Sequence, residues 1–342
     1  MLIMIQCHVF NAFTRLDLRE GGPYMLSQFV GGMAAPLFLL LSGITLAFQM
    51  DSQDRRQPSA ARRYVAALRR AGYILAIAYL FRFSNWIFTS PLPPFRALLR
   101  VDILNCMGFA MAVLAVAAVW PSALRARFMA VAGFAIAALA PPMNALNWQG
   151  VPAVVHDYLV PSHLSFAFFP CGAYVAFGIS IGAVLKRLPQ ERMERAMQWA
   201  LLTGLGMIAA GQYFSSIPYS VYSKSNFWTD SPALIIIRTG LILAILAATF
   251  LWTEFGAGAG WSWVQTLGKT SLMVYWVHVV LVYGRLFGPW KKALDIPQAT
   301  AVAAAVTLAM LLLAIVRLRW SPRSYSSLPS PISSSRFSNL VR

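Results

Sequence analysis

Apolar runs close to the ~20 residues that a helix needs to cross a bilayer recur along this chain. Bounded by Pro, Gly and polar residues, they fall at 1–13, 25–49, 70–89, 102–120, 127–141, 164–186, 196–214, 232–253, 265–287 and 297–318. Backbone in hydrocarbon must satisfy its own hydrogen bonds, so runs of this kind become helices. The pattern predicts an all-α fold, a polytopic transmembrane bundle of about ten helices. Composition agrees: 58% of residues are hydrophobic and 11% charged, with mean hydropathy +0.62. A soluble domain has about a quarter of its residues charged. Intrinsic disorder, which needs low hydrophobicity, is excluded for the bulk of the chain. Residues 1–320 read as one membrane domain, and the Ser/Pro-rich stretch 321–342 as a disordered cytoplasmic tail. The run 1–13 is too short to span alone, and no secretory signal with a small-residue cleavage site precedes it. The expectation is a partial first helix from a truncated gene model.

The net charge of +17 comes from 28 Lys and Arg against 11 Asp and Glu. In a soluble chain this excess would suggest nucleic acid. Here its placement indicates membrane orientation instead. Seventeen basic residues sit in the segments 50–70, 121–127 and 186–195 and in the C-terminal stretch from Arg317. With ten helices all four lie on one side, and the opposite loops hold only eight. The positive-inside rule then places both termini in the cytoplasm and the chain in the cytoplasmic (inner) membrane, with no nucleic-acid partner. The segment 254–264, cytoplasmic in this arrangement, carries no basic residue. Topology accounts for most of these charges, although basic loops can also hold lipid headgroups or an anionic cofactor.

Cys7, Cys106 and Cys171 lie in apolar surroundings without CxxC spacing, so they read as small buried hydrophobes. There is no phosphate loop, HExxH or GxSxG, and four scattered histidines assign no metal site. Small residues at Gly31, Gly32, Ala34, Ala35, Ser42 and Gly43 suit close helix packing in lipid, as do Gly172 and Gly178. Pro36 is expected to kink its helix.

Ionisable residues inside a membrane are expensive and mark functional positions. His8, Arg82, Asp102, Arg238 and His278 all map to the middle or outer half of their helices, which argues for a polar pocket open to the extracytoplasmic side. Each has a plainer reading. The arginines can snorkel to headgroups, Asp102 can cap a helix or pair with an arginine, and the histidines can bond between helices. His156 and His163 fall in the outer loop 143–163 and read as solvated. Ser271, Tyr275, His278 and Val282 share one helical face, so Tyr275 is placed to orient His278 by a hydrogen bond. A neutral imidazole there can take and return a proton near pH 7. Asn11, three residues after His8, forms a similar polar facet.

The segments LIMIQCHVFNAF, PLFLLLSGITLAF, Arg69–Arg70, VDILNCMGFAM, FWTDSPALIIIRTG and LGKTSLMVYWVHVVLVYG, in this order, resemble bacterial membrane proteins related to heparan-alpha-glucosaminide N-acetyltransferase. More distantly they are similar to multi-pass acyltransferases that O-acetylate surface polysaccharides. The resemblance covers residues 1 to about 318. It implies transfer of an acetyl or other acyl group from cytoplasmic acyl-CoA to an extracytoplasmic acceptor, a sugar amine or hydroxyl. His8 matches the first-helix histidine of these relatives and His278 the late-helix histidine. Asp102 and Arg238 match recurrent polar positions. The Asp-x-x-Arg-Gly stretch usual before the first helix is absent, and no histidine follows His8 in the first outer segment, where the lysosomal enzyme has its catalytic one.

Residues 1–320 are therefore expected to form an acyltransferase-like domain with His278, His8 and Asp102 as catalytic candidates. A histidine base, or an acyl-histidine in a ping-pong variant, would activate the acceptor. Arg82, Arg238, Tyr275 and Asn11 are candidates for binding substrate and Arg62, Arg63, Arg69 and Arg70 for the CoA phosphates. Acyl-CoA is a co-substrate, with no permanently bound cofactor expected. The expected partners are the lipid bilayer, a saccharide or glycan acceptor and, as a possibility, a second copy in a homodimer. The alternative function is a multi-pass transporter or flippase for a polar or anionic solute, for which intramembrane charges and Pro-broken helices are also suited.

Overall fold

Backbone hydrogen bonds closed within each segment make these apolar stretches helical. The computed structural model describes residues 1–56, 59–89, 92–161, 166–219, 221–256 and 261–320. The expected tail 321–342 and His163 lie outside the described residues. In chain order the helices are α1 (Leu2–Phe13), α2 (Gly22–Gly31), α3 (Ala34–Arg56), α4 (Ala60–Phe88), α5 (Ile103–Leu114), α6 (Ser122–Ala145), α7 (Ala153–Leu159), α8 (Phe168–Arg187), α9 (Met193–Ser216), α10 (Pro232–Leu251), α11 (Trp263–Lys269), α12 (Ser271–Tyr283) and α13 (Ile296–Trp320). Among the described residues there is no strand, only a single bridge between Thr14 and Leu294. The fold is a polytopic helical bundle.

Six stretches are long and apolar enough to cross a membrane: Gly22–Arg56, Ala60–Phe88, Ser122–Ala145, Phe168–Arg187, Pro232–Phe255 and Ile296–Trp320. Leu2–Phe13, Ile103–Val119 and Ser271–Tyr283 are apolar but shorter. Two of the expected continuous helices are divided. The run 25–49 breaks at Gly32–Met33, and Pro36 is the third residue of α3. In a first turn the N–H that proline lacks has no intrahelical acceptor, so Pro36 starts a helix there rather than kinking one. The run 265–287 is split at Thr270 into α11 and α12. The helix preceding Ala115 tightens into a 3-10 turn over Ala115–Val119.

The chain divides into two compact units, Met1–Gln28 with Trp252–Arg342, and Phe29–Leu251. In the first unit, Ile5, Val9 and Phe13 on α1 join Val274 and Val282 of α12 and the stripe Ala299, Ala303, Val306, Met310 and Ala314 of α13 in one core. The end of α1 is fastened to the segment before α13 by Lys292 N–H to the Ala12 carbonyl at 3.0 Å and Leu294 N–H to the Phe13 carbonyl at 2.9 Å.

In the second unit, α3 packs on α8, α6 on α8, α9 on α10 and α4 on α5. The α3–α8 crossing brings backbones into contact. A Cβ on Gly43 would overlap the Val175 carbonyl oxygen, and one on Gly178 the Leu40 carbonyl oxygen. One end of this unit is tied by charge. Arg125, taken from sequence as a loop residue, is inside α6 and fully buried. Its Nη2 donates to Asp54 at 3.1 and 2.8 Å and to the Trp120 carbonyl at 2.9 Å, while Nε donates to the Ala117 carbonyl at 3.0 Å. A basic residue next to a predicted helix start is drawn inward because Asp54 and two helix-end carbonyls need donors.

Candidate active site

In the first unit the stripe that buries Ile5, Val9 and Phe13 leaves His8 half-buried on the flank of α1. His278, in the middle of α12, is fully buried. Although 270 positions apart, the two rings meet: His8 Nδ1 lies 3.0 Å from His278 Nε2. The rings are near-parallel, at 19°, with centroids 5.2 Å apart. The other nitrogen of His278, Nδ1, is 2.6 Å from the carbonyl of Val274, one turn earlier in α12.

These contacts fix the protons when both rings are neutral. A carbonyl oxygen only accepts, so His278 Nδ1 carries the hydrogen. His278 Nε2 is then an acceptor, and His8 Nδ1–H donates to it. His8 Nε2 is left with its lone pair, on the less buried of the two rings. A proton taken there can be shared through Nδ1 with His278, whose added charge the Val274 carbonyl stabilises. The order carbonyl, imidazole, imidazole repeats the logic of a base oriented by a third group.

Aromatic rings and amides surround the pair. Tyr283 meets the His8 ring edge-on at 5.5 Å, and its hydroxyl donates to Asn11 Oδ1 at 3.3 Å. Tyr275 meets the His278 ring edge-on at 5.8 Å, while the hydrogen bond that orients His278 runs from its Nδ1–H to the Val274 carbonyl. Arg19 donates to the carbonyls of Asn11 at 2.7 Å and Thr14 at 3.2 Å and lies over the Tyr24 ring. Lys291 Nζ donates to the Tyr283 carbonyl at 2.7 Å, and burial draws its ammonium below the usual lysine range. On the exposed rim, the hydrogen bond from Arg15 holds the Asp17 carboxyl below the ordinary carboxylate range.

The remaining candidates belong to the second unit. Asp102 caps α5, its Oδ1 accepting from Leu104 N–H at 3.0 Å and Asn105 N–H at 3.2 Å. Arg82 of α4 lies within electrostatic reach of Asp102 and donates to the Ala97 carbonyl. Arg238 on α10 is half-buried beside Tyr174 of α8. Of the basic candidates on α4, Arg62, Arg69 and Arg70 are exposed, with Arg70 over the Tyr73 ring. Arg63 is half-buried, donating to the carbonyls of Ala118 at 3.2 Å and Val119 at 3.1 Å and pairing with Asp54 at 3.4 Å.

The structure thus joins His8, Asn11 and His278 in one unit and links Asp102 with Arg82 in the other. Sequence reasoning named His8 and His278 as separate candidates and missed Tyr283 and the Val274 carbonyl. A signal for Tyr283 existed, since it is a polar aromatic residue that closes the same apolar helix, five residues after His278. Among the described residues no group of three or more His, Cys, Asp or Glu is arranged to hold a metal ion. A comparison with curated proteins gave no match. A family model described as an acyltransferase domain matches residues 1–317. That match spans both histidines and nearly the whole helical bundle, and the chain belongs to this membrane acyltransferase family.

Proposed function

We propose that the protein transfers an acyl group from acyl-CoA to a hydroxyl or amine of an extracytoplasmic saccharide acceptor, with His8 as the general base. The observation that carries this reading is the His8–His278 bond, which leaves His8 Nε2 as an unprotonated nitrogen oriented by a second ring. The acceptor O–H or N–H gives its proton to Nε2 as its oxygen or nitrogen attacks the thioester carbonyl. The tetrahedral oxyanion collapses, the C–S bond breaks, and the thiolate of CoA takes the proton back from the imidazolium. His278 spreads that transient charge over two rings.

Arg62, Arg69 and Arg70, exposed on α4, suit the CoA phosphates. The concentration of basic residues in the 50–70 segment supports a cytoplasmic placement for that end and for both termini, in the inner membrane. The resemblance of these segments to bacterial proteins related to heparan-alpha-glucosaminide N-acetyltransferase is what favours acetyl as the group transferred in this reading. Arg82, Arg238, Tyr275 and Asn11 remain proposed substrate-side residues, and Asp102 a proposed catalytic one.

The test is acyl transfer by purified protein in nanodiscs, using radiolabelled acetyl-CoA and an extracted glycan fraction. His8→Ala is expected to lower the rate by about 10²–10⁴, the usual contribution of a positioned base. Transfer at the wild-type rate by His8→Ala would overturn the assignment.

A further inference from the structure

Two of the three cysteines, 65 positions apart, are brought together in the second unit. The segments that precede α5 and α8 are joined by a backbone bond, Phe166 N–H to the Val101 carbonyl at 3.4 Å. Each helix begins two residues after its bonded residue, and the two helices pack against each other. Cys106 and Cys171 each stand five residues beyond that bond, so equal steps along two neighbouring helices leave them level. The rings of Phe109 and Phe168 meet edge-on at 5.9 Å across the same interface. There the two thiols interact directly with each other. Cys106 is fully buried and Cys171 half-buried. Cys7 is in the other unit, where its thiol donates to Gln28 Oε1 at 3.7 Å.

A thiol is a weak donor and a weak acceptor, so two of them in contact add little to packing that small hydrophobes would not supply. What adjacent sulfurs add is covalent chemistry. The Arg238 guanidinium of α10 lies within electrostatic reach of Cys171 and offsets charge that develops on its sulfur. The proposed orientation puts the starts of α5 and α8 at the extracytoplasmic end, where disulfides persist.

We infer that Cys106 and Cys171 form a peroxide-responsive thiol pair that joins α5 to α8 by a reversible disulfide. Hydrogen peroxide is small and uncharged, and it meets the half-buried Cys171 first. The Cys171 sulfur attacks one peroxide oxygen, the O–O bond breaks, and the departing oxygen leaves as water with the thiol proton. Cys171 is then a sulfenic acid. The Cys106 sulfur attacks the Cys171 sulfur, the S–O bond breaks, and the hydroxyl leaves as a second water with the Cys106 proton. Two thiols have lost two electrons in all, and one peroxide has become two waters. Cys106 thus intercepts the sulfenic acid before it reaches the irreversible sulfinic state. The bond fixes the helix that Asp102 caps to the helix that carries Tyr174 beside Arg238. It is independent of the acyl-transfer reading.

The test is thiol counting by intact mass on the full chain in detergent. Folded protein is treated with hydrogen peroxide, freed of it, unfolded and alkylated with N-ethylmaleimide. Untreated protein is expected to take three adducts, one for each cysteine. Treated protein is expected to take one, on Cys7, with the rest of the chain two hydrogens lighter. Dithiothreitol before alkylation is expected to restore all three. Digestion without reductant should give a bridged peptide containing Cys106 and Cys171. In Cys106→Ser the sulfenic acid has no partner, so dimedone is expected to label Cys171 there and not in the wild-type protein. Three adducts after peroxide, a bridge that contains Cys7, sulfinic or sulfonic acid on Cys171 in place of a bridge, or equal dimedone labelling of both proteins would overturn the proposal. The wild-type peptide map decides even where the variant does not accumulate.

Discussion

At the scale of single residues, the two histidines have unequal jobs. His8 is the half-buried ring with the available nitrogen, while His278 is fully buried and fully bonded. His278 is therefore a positioning residue, and its loss should be milder than that of His8. His278→Gln presents an amide oxygen to His8 Nδ1–H and should recover part of the activity that His278→Ala loses. The pH–rate profile separates this role from a structural one: the acid limb should move in His278→Ala, where the imidazolium loses its partner, and return towards wild type in the Gln variant. Equal rates and equal profiles in the two variants would refute it. Both histidines stand out in the sequence as ionisable residues in apolar helices. Their pairing does not, because it depends on α1 and α12 meeting across 270 positions. The choice of Val274 over Tyr275 as the orienting group is equally hidden, since a main-chain acceptor leaves no mark on composition.

At the scale of helices, close approach and buried charge set what can be changed. The α3–α8 crossing has no room for a side chain at Gly178, so Gly178→Val should prevent accumulation of folded protein, as read by size-exclusion chromatography in detergent. Gly206, in the interior of α9, meets nothing within 4 Å. There Gly206→Ala should be neutral or stabilising by about 0.5–1 kcal/mol through helix propensity, seen as a small rise in Tm. Removing Asp54 leaves the buried Arg125 guanidinium without its carboxylate. Asp54→Ala should cost about 3–5 kcal/mol, visible as a large loss of Tm, since an uncompensated buried cation remains. The positions of the apolar helices were readable from hydropathy alone. The break at Gly32–Met33 was not, because proline is a helix breaker or a helix starter according to the residues before it. Arg125 was misplaced for a related reason: charge alone assigns a basic residue to water, and only the fold shows that Asp54 and two carbonyls await it.

At the scale of the molecule, orientation is the property to measure. A cysteine introduced at Arg62 should react with an impermeant maleimide only in inside-out vesicles, and one at Gln149 only in intact spheroplasts. Labelling of both from the same side would refute the orientation read from the basic segments. The division of the chain also has a consequence for its biogenesis. One unit is assembled from the first 28 residues and those from Trp252 onward. At ribosomal speeds of about 5–20 residues per second, roughly ten to fifty seconds separate the emergence of His8 from that of His278. Throughout that interval α1, only 12 residues long, has neither α12 nor α13 to dock on. A nascent chain released before α12 therefore lacks the His8–His278 bond, and on the proposed mechanism such a truncated product is expected to show no transfer.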